Sequence, residues 1–535
     1  MSESSTPLNN DILLSILSIS PPKTATSIMA TCSFLYHEGA KIVLQDIVEF
    51  NGSEEEALAI LRFVQAEDLS RCPYVRKLRI VTLPESVAKI LADLGPRMTG
   101  LKWLILARAE QMFESYPYLL PTFAALRSLK LLVITHVGAR CYEMIRTLQS
   151  ELVFARIDFP PGEAVDLSLA ASHPIVMLKR SASTLEMLAC TYLFDRKPER
   201  TFSSPRVIYP KLHTLILQES FTPNPIAFIK AFPDLTHFHV ESTLSPEDVE
   251  MSVSQSRREA NLELQHPSKD GQPFGWKHLQ EFTGHLIDLW VLGLACRITR
   301  LLLEDAPAAH PPLVLTDVLA YARPMRLTIT FENQPLTDVL GGGFLAALRS
   351  EGASSLRSLA FVIDLMAGDR HLDVGHALID LESALSGLRL YDLLFTVCDI
   401  GLSEDPSALS ASPAEGSPST PSSPTQARAA CPNSAENPTS LYLAERTLND
   451  FDVLAFVRRL LTSIPTLENV NIGVERPGRC GGSMRIACLN KQDSNHWLHQ
   501  LTKEGINSYM EVTGWRETYV TTVKLWNRYN GDVTL

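Results

Sequence analysis

The chain has 535 residues, 45% of them hydrophobic, and a formal net charge of −12. Its length exceeds one ordinary core and predicts two or three domains or one long repeat array. The acidic balance argues against general nucleic-acid binding, which needs many Lys and Arg contacts to phosphate.

The first fifty residues read as three short helices. Leu8, Ile12, Leu13, Ile16 and Leu17 share one helical face, and Pro21-Pro22 ends that helix. Ile28, Met29, Cys32, Leu35 and Tyr36 repeat the spacing in a second helix. "AKIVLQDIVEF", Ala40 to Phe50, supplies a third apolar segment. Such a unit is too small to be robust alone and is expected to dock on something. "ILLSILSI" is not expected to be a signal peptide: no basic residue precedes it, and prolines follow it instead of a small-residue cleavage site.

From about residue 70 the pattern becomes apolar-x-x-apolar-x-apolar. It is read at Val75/Leu78/Ile80, Leu101/Leu104/Leu106, Leu126/Leu129/Leu131 and Leu152/Ala155/Ile157. Later copies run from Leu185/Leu188/Cys190 to Leu467/Val470/Ile472. The first starts are about 25 residues apart, inside the roughly 20–29 of leucine-rich repeats, with helix-like segments between them. Each unit is a strand plus a returning helix, and only stacking buries its apolar face. In this register the outward positions of the early strands are Lys77/Arg79, Trp103/Ile105, Ser128/Lys130 and Phe154/Arg156. Lys77, Arg79, Lys130 and Arg156, with Trp103 and Phe154 among them, make a candidate wall for an acidic or phosphorylated segment of a partner. An ordinary solvated strand face is the alternative.

Residues 244–275 read as a polar insertion. Residues 403–440 are Ser/Pro-rich, nearly without large apolar side chains, and expected to be disordered. Ser412, Ser417, Thr420 and Ser423 each precede proline there and are phosphorylation candidates. The tail carries Trp497, Trp515 and Trp526, expected to close the end of the repeat array. No apolar run reaches the length of a membrane span; Leu286 to Cys296 is about the longest, and Asp288 interrupts it.

Nine scattered cysteines with no CxxC pair predict reduced thiols in the cytosol or nucleus. His371, Asp373 and His376 lie close together but read as a surface loop, because metal sites need three or four ligands. "LGGGF" before Leu345 lacks the Lys-Ser/Thr of a phosphate loop and reads as a turn before a helix. No nucleophile elbow, paired-carboxylate motif or dinucleotide fingerprint is present, so no enzyme activity, cofactor or metal is expected.

The opening stretch resembles an F-box, whose motif begins Leu-Pro-x-Glu/Asp-Ile/Leu, breaks at a Pro-containing turn and ends in a helix with a Cys step and an aromatic. The matching residues are Leu8, Asp11, Ile12, Leu13, Ile16, Leu17, Pro21, Pro22, Ile28, Thr31-Cys32, Leu35 and Tyr36. Asn9 stands where that family usually has Pro, and Tyr36 near where many members carry Trp. Together with the repeats, the chain resembles the F-box/leucine-rich-repeat proteins, of the divergent kind abundant in fungi. The repeats depart from the consensus Asn or Cys three positions after the third leucine; Leu83, Ala109 and Ser220 stand there.

The resemblance implies an α/β chain: a three-helix F-box over residues 1–50, an irregular leucine-rich-repeat solenoid over 70–402, the linker 403–440, and a last repeat with cap over 441–535. It implies a substrate receptor of a cullin-RING ubiquitin ligase. The adaptor contacts would be Leu8, Ile12, Leu13, Ile16, Leu17, Pro21, Pro22, Ile28, Cys32, Leu35 and Tyr36, docking a Skp-type adaptor and through it a cullin. The repeats would hold an unknown substrate protein, with no nucleic acid or membrane as partner. The alternative is a non-ligase scaffold in which residues 8–48 cap the array.

Overall fold

The computed structural model describes residues 9–161, 172–193, 207–220, 225–242, 251–265, 275–304, 313–331, 334–341, 343–399, 442–475, 484–490 and 497–501. Leu8, the linker 403–440 with its four Ser/Thr-Pro sites, Trp515 and Trp526 lie outside them. The chain forms two compact units, Met1–Leu279 with Val291–Ala295, and Gln280–Trp290 with Cys296–Leu535. The class is α/β.

In the first unit three helices come first: α1 (Asn10–Ile19), α2 (Pro22–Met29) and α3 (Ser33–Val43). The second helix expected from sequence is in fact two. Thr31 Oγ1 donates to Ile28 O at 2.7 Å, and Cys32 is extended as the residue before α3. A hydroxyl that satisfies the last carbonyls of one helix competes with continuation of that helix. The third apolar segment also divides. Residues up to Val43 are helical, whereas Ile47–Phe50 is a strand with alternating burial, as its β-branched pair and period of two favour.

That strand is β1. Seven more follow: β2 (Lys77–Ile80), β3 (Trp103–Leu106), β4 (Leu131–Thr135), β5 (Phe154–Asp158), β6 (Met187–Thr191), β7 (Thr214–Gln218) and β8 (His237–Val240). Each pairs in parallel with the next in chain order. The register aligns Leu78, Leu104, Leu132, Ala155, Leu188, Leu215 and Phe238, all buried. The connecting helices turn apolar faces inward, as with Val87, Ala88 and Leu91 of Glu85–Leu94. Stacking removes from water the leucine stripe that no single unit can cover.

One expectation about this register is corrected. Leu104 faces Leu132 and Leu106 faces Ile134. The third copy of the pattern is therefore Leu129/Leu132/Ile134, three residues later than read from sequence. "LRSLKLLVI" satisfies the pattern in both frames, and strand pairing selects the later one.

Hydroxyl groups bind successive units together. Ser128 Oγ donates to Leu101 O at 2.7 Å and Thr184 Oγ1 to Leu152 O at 2.8 Å. In the second unit Ser355 Oγ donates to Pro324 O at 2.9 Å and Thr466 Oγ1 to Leu390 O at 2.8 Å. All four occupy the position just before the first apolar residue of their repeat and reach the equivalent carbonyl one repeat earlier. Ser150 and Ser181 add buried bonds from Leu129 N and Leu152 N. Ser220, at a consensus Asn position, accepts from Leu193 N at 3.0 Å and donates to Gln218 O. These hydroxyls satisfy buried backbone groups that the strands leave unpaired.

Carboxylates act similarly at helix starts. Glu110 accepts from Gly138 N, Arg140 N and Cys141 N at the start of Ala139–Thr147. Within the polar insertion, Met251–Gln265 is a helix whose Asn261 and Gln265 amides donate to Val291 O, Leu292 O and Gly293 O.

Along the chain β9 (His278–His285) comes next. The second unit continues with β10 (Arg297–Glu304), β11 (Arg326–Phe331), β12 (Ser358–Leu365), β13 (Asp392–Asp399) and β14 (Asn469–Glu475), parallel in chain order. Its core stacks Phe344, Phe361 and Phe395. Asp369, fully buried, accepts from Leu336 N, Thr337 N and Met366 N. After β14 the direction changes: β15 (Met484–Asn490) and β16 (Trp497–Leu501) add antiparallel.

Candidate docking surfaces

The helices α1–α3 divide the expected adaptor contacts into two groups. Leu17 and Leu35 are buried, so they hold the helices together and do not face outward. Leu17 meets Ala25, Met29 and Ala40, with Ile28 packed against that cluster. Leu13 is half-buried on the inner side. Gly39 permits this approach, because a Cβ there would lie 2.7 Å from Met29 Cγ.

On the opposite side of α1, Ile12 is 48% exposed, Ile16 40% and Ile19 84%. Their spacing of four and three residues makes one apolar stripe facing water. Tyr36, Pro21 and Cys32 are also exposed, and Pro22 is the first residue of α2. Asn9, in the place of a family proline, caps α1: its Oδ1 accepts from Asp11 N at 3.1 Å. The rigid start is thereby replaced by a side-chain cap.

A buried arginine that the sequence did not single out ties these helices to the following segment. Arg71 is 1% exposed, and its guanidinium lies over the rings of Tyr36 and Phe63. Its Nη2 donates to Glu67 Oε1 at 2.5 Å. Glu67 also meets His37 Nδ1 at 2.7 Å, and the Arg71 guanidinium beside it holds its carboxyl below the usual carboxylate range. Glu67, Asp68 and Leu69 all have positive φ, the left-handed backbone that returns the chain to this contact. The preceding helix, α4 (Glu54–Gln65), carries Phe63.

The proposed basic wall is rearranged by the true register. Facing away from the leucine core, one row runs Lys77, Trp103, Leu131, Phe154, Met187, and a second runs Arg79, Ile105, Val133, Arg156, Ala189. Ser128 and Lys130 precede β4 and are not in the strand. Lys77 Nζ stacks 4.5 Å from the Trp103 ring centroid. Arg79 pairs with Glu49, and Arg156 Nε donates to Asp158 at 2.8 Å. Phe154, expected as an open aromatic anchor, is 2% exposed, and Leu131 and Met187 are buried beside it. The arginines are internally compensated, and the middle of the face is apolar and covered.

Of the other candidates, Asp373 caps Val374–Leu385 by accepting from His376 N at 3.1 Å. Among the described residues no group of three or more His, Cys, Asp or Glu is arranged to hold a metal ion. Cys72, Cys141, Cys190 and Cys296 are buried free thiols and Cys32 an exposed one. Burial pushes the Cys296 thiol up to about 12, which suits a small core residue. Among the described residues no helix is long and apolar enough to cross a membrane. No protein-family model and no curated protein sequence matches the chain.

Proposed function

We propose that this chain is a substrate receptor of a cullin-RING ubiquitin ligase, with α1–α3 as an F-box that docks a Skp-type adaptor. The strand–helix units then act as an irregular leucine-rich-repeat solenoid that holds the protein to be ubiquitinated. The work is non-catalytic and belongs in the cytosol or nucleus.

The observation that carries this reading is the stripe Ile12/Ile16/Ile19, apolar and open to water on a helix whose other side already fills its core. Exposed isoleucines at helical spacing on so small a unit are the feature of a docking helix. A stable interface would bury about 1,200–2,000 Å², with a few central anchors dominating.

Ile12→Asp, Ile16→Asp and Ile19→Asp together are expected to abolish capture of a purified Skp-type adaptor without lowering the melting temperature. Leu17→Asp is a different experiment, since it unfolds the helical unit. Full adaptor capture by the folded triple variant would overturn the reading. The second reading, a cap on the repeat array, draws on the Arg71 clamp, which fastens α3 to the segment before β2. It leaves the isoleucine stripe without a purpose.

A further inference from the structure

The second unit carries a concentration of arginine at the N-terminal ends of its parallel strands. Arg300 of β10 lies opposite Arg326 of β11. Arg357, just before β12, donates from Nη1 to Arg389 O at 3.2 Å and places its guanidinium 5.5 Å from the Tyr391 ring centroid. Arg297 opens β10, and Arg323 precedes Pro324 in the turn into β11. Six arginines thus crowd the edge of four adjacent strands in a chain of net charge −12.

Most of this charge is uncompensated. Arg300 pairs with Glu281 at 2.8 Å. None of the other five forms an ion pair with a carboxylate among the described residues, and Arg297, Arg323, Arg326 and Arg389 are exposed. Tyr391 and Met325 stand exposed among them. Asp392 opens β13 beside Arg357, its N–H donating to Arg357 O at 3.1 Å, and its carboxylate accepts from Asn469 Nδ2 at 2.7 Å; Glu468 precedes β14. Holding like charges side by side on neighbouring strands costs stability, so the cluster calls for an external anion.

We infer that this edge binds an extended acidic peptide segment of a partner protein, its Asp and Glu side chains engaging Arg326, Arg357 and their neighbours. Strands are about 4.8 Å apart, so β10 to β13 spans roughly 14 Å, the reach of about five extended residues. Arginine forks pair with carboxylates in two-point contacts, and Tyr391 and Met325 add apolar area for the peptide's stem atoms. A long polyanion such as RNA is disfavoured, because the acidic remainder of the chain repels it at distance. The inference rests on the receptor reading above only for the owner of the segment, which would be the recruited protein.

The test uses the full chain and a fluorescein-labelled peptide with about six consecutive Glu and Asp residues, read by anisotropy at physiological salt. Binding is expected for the wild type, with loss on the order of tenfold for each charge-assisted contact removed in R297E/R326E/R389E. R297Q/R326Q/R389Q, which introduces no negative charge, is expected to weaken binding in the same direction if the Glu variant does not fold. The control R140E/R146E/R180E makes the same charge change on exposed helical residues of the first unit, away from the strand ends, and is expected to bind as the wild type does. Absence of peptide binding, equal loss in the control, or tighter binding of a single-stranded RNA of equal charge would each overturn the inference. Adaptor capture through α1 is scored in parallel, so failure of the receptor reading is distinguishable from failure of the arginine edge.

Discussion

Arg71 lies between two aromatic rings, 4.3 Å from the Tyr36 centroid and 4.4 Å from that of Phe63. One ring belongs to α3 and the other to α4, so a single buried guanidinium joins the opening helices to the array that follows. Its charge is met by Glu67 and by the ring faces, which offsets the cost of taking an ion out of water.

Arg71→Met is expected to remove that bond and leave Glu67 with His37 alone. Loss of the guanidinium also removes its contacts with both rings, and the seam between α3 and α4 is expected to weaken. Arg71→Lys is expected to recover little, because an ammonium cannot stack flat between two rings. Hydrogen exchange checks this: residues 10–43 should lose protection in Arg71→Met while β4–β7 remain protected. Uniform protection would show that α3 is held by other contacts.

The hydroxyl staples make a second, separable prediction. Thr184→Val removes the donor to Leu152 O but keeps the shape, and a buried carbonyl then lacks its partner. A loss of about 1–3 kcal/mol is expected, read as an earlier chemical denaturation midpoint. Thr462→Val, whose hydroxyl bonds only within its own helix, is expected to change stability little.

Gly100 has no such latitude. A Cβ on it would sit 1.9 Å from Pro73 O, a backbone atom, and 2.8 Å from Arg76 Nη1. Arg76 Nη1 donates to Gly100 O at 3.1 Å, so the turn is fixed from both sides. Gly100→Ala is expected to cost about 1–3 kcal/mol through overpacking, measured by thermal or urea unfolding. A neutral effect would mean that the 73–76 turn yields freely.

His173 gives the fold a pH dependence. Its Nδ1 accepts from Ile175 N at 3.2 Å, which requires a neutral ring, and burial pushes its pKa down to about 4. The unfolded chain holds this histidine near about 6.5. Between those values the unfolded state binds the extra proton, so stability is complete above about pH 6.5 and falls as pH approaches 4. The contribution is of the order of 3 kcal/mol. His173→Asn, which keeps an acceptor for Ile175 N, is expected to flatten the stability profile between pH 4 and about 6.5. A profile as steep as the wild type's would assign the dependence to other groups.

Much of the fold was legible because leucine spacing is a one-dimensional consequence of stacking. Val75/Leu78/Ile80 and Leu101/Leu104/Leu106 are buried as the period requires. The sequence by itself determined the α/β class, the first helix, and the residue types available at each repeat position. It did not determine frame. "LRSLKLLVI" fits the pattern twice, and only parallel pairing of β4 with β3 decided that Leu131 and Val133, not Ser128 and Lys130, face away from the core. Nor did periodicity separate Ile16 from Leu17, adjacent on one apolar helix, because which side is covered depends on where α2 and α3 pack. The hydroxyl staples and the arginine edge share this origin. Ser128 and Leu101, or Arg300 and Arg326, are far apart in sequence, and they meet only when strands lie side by side.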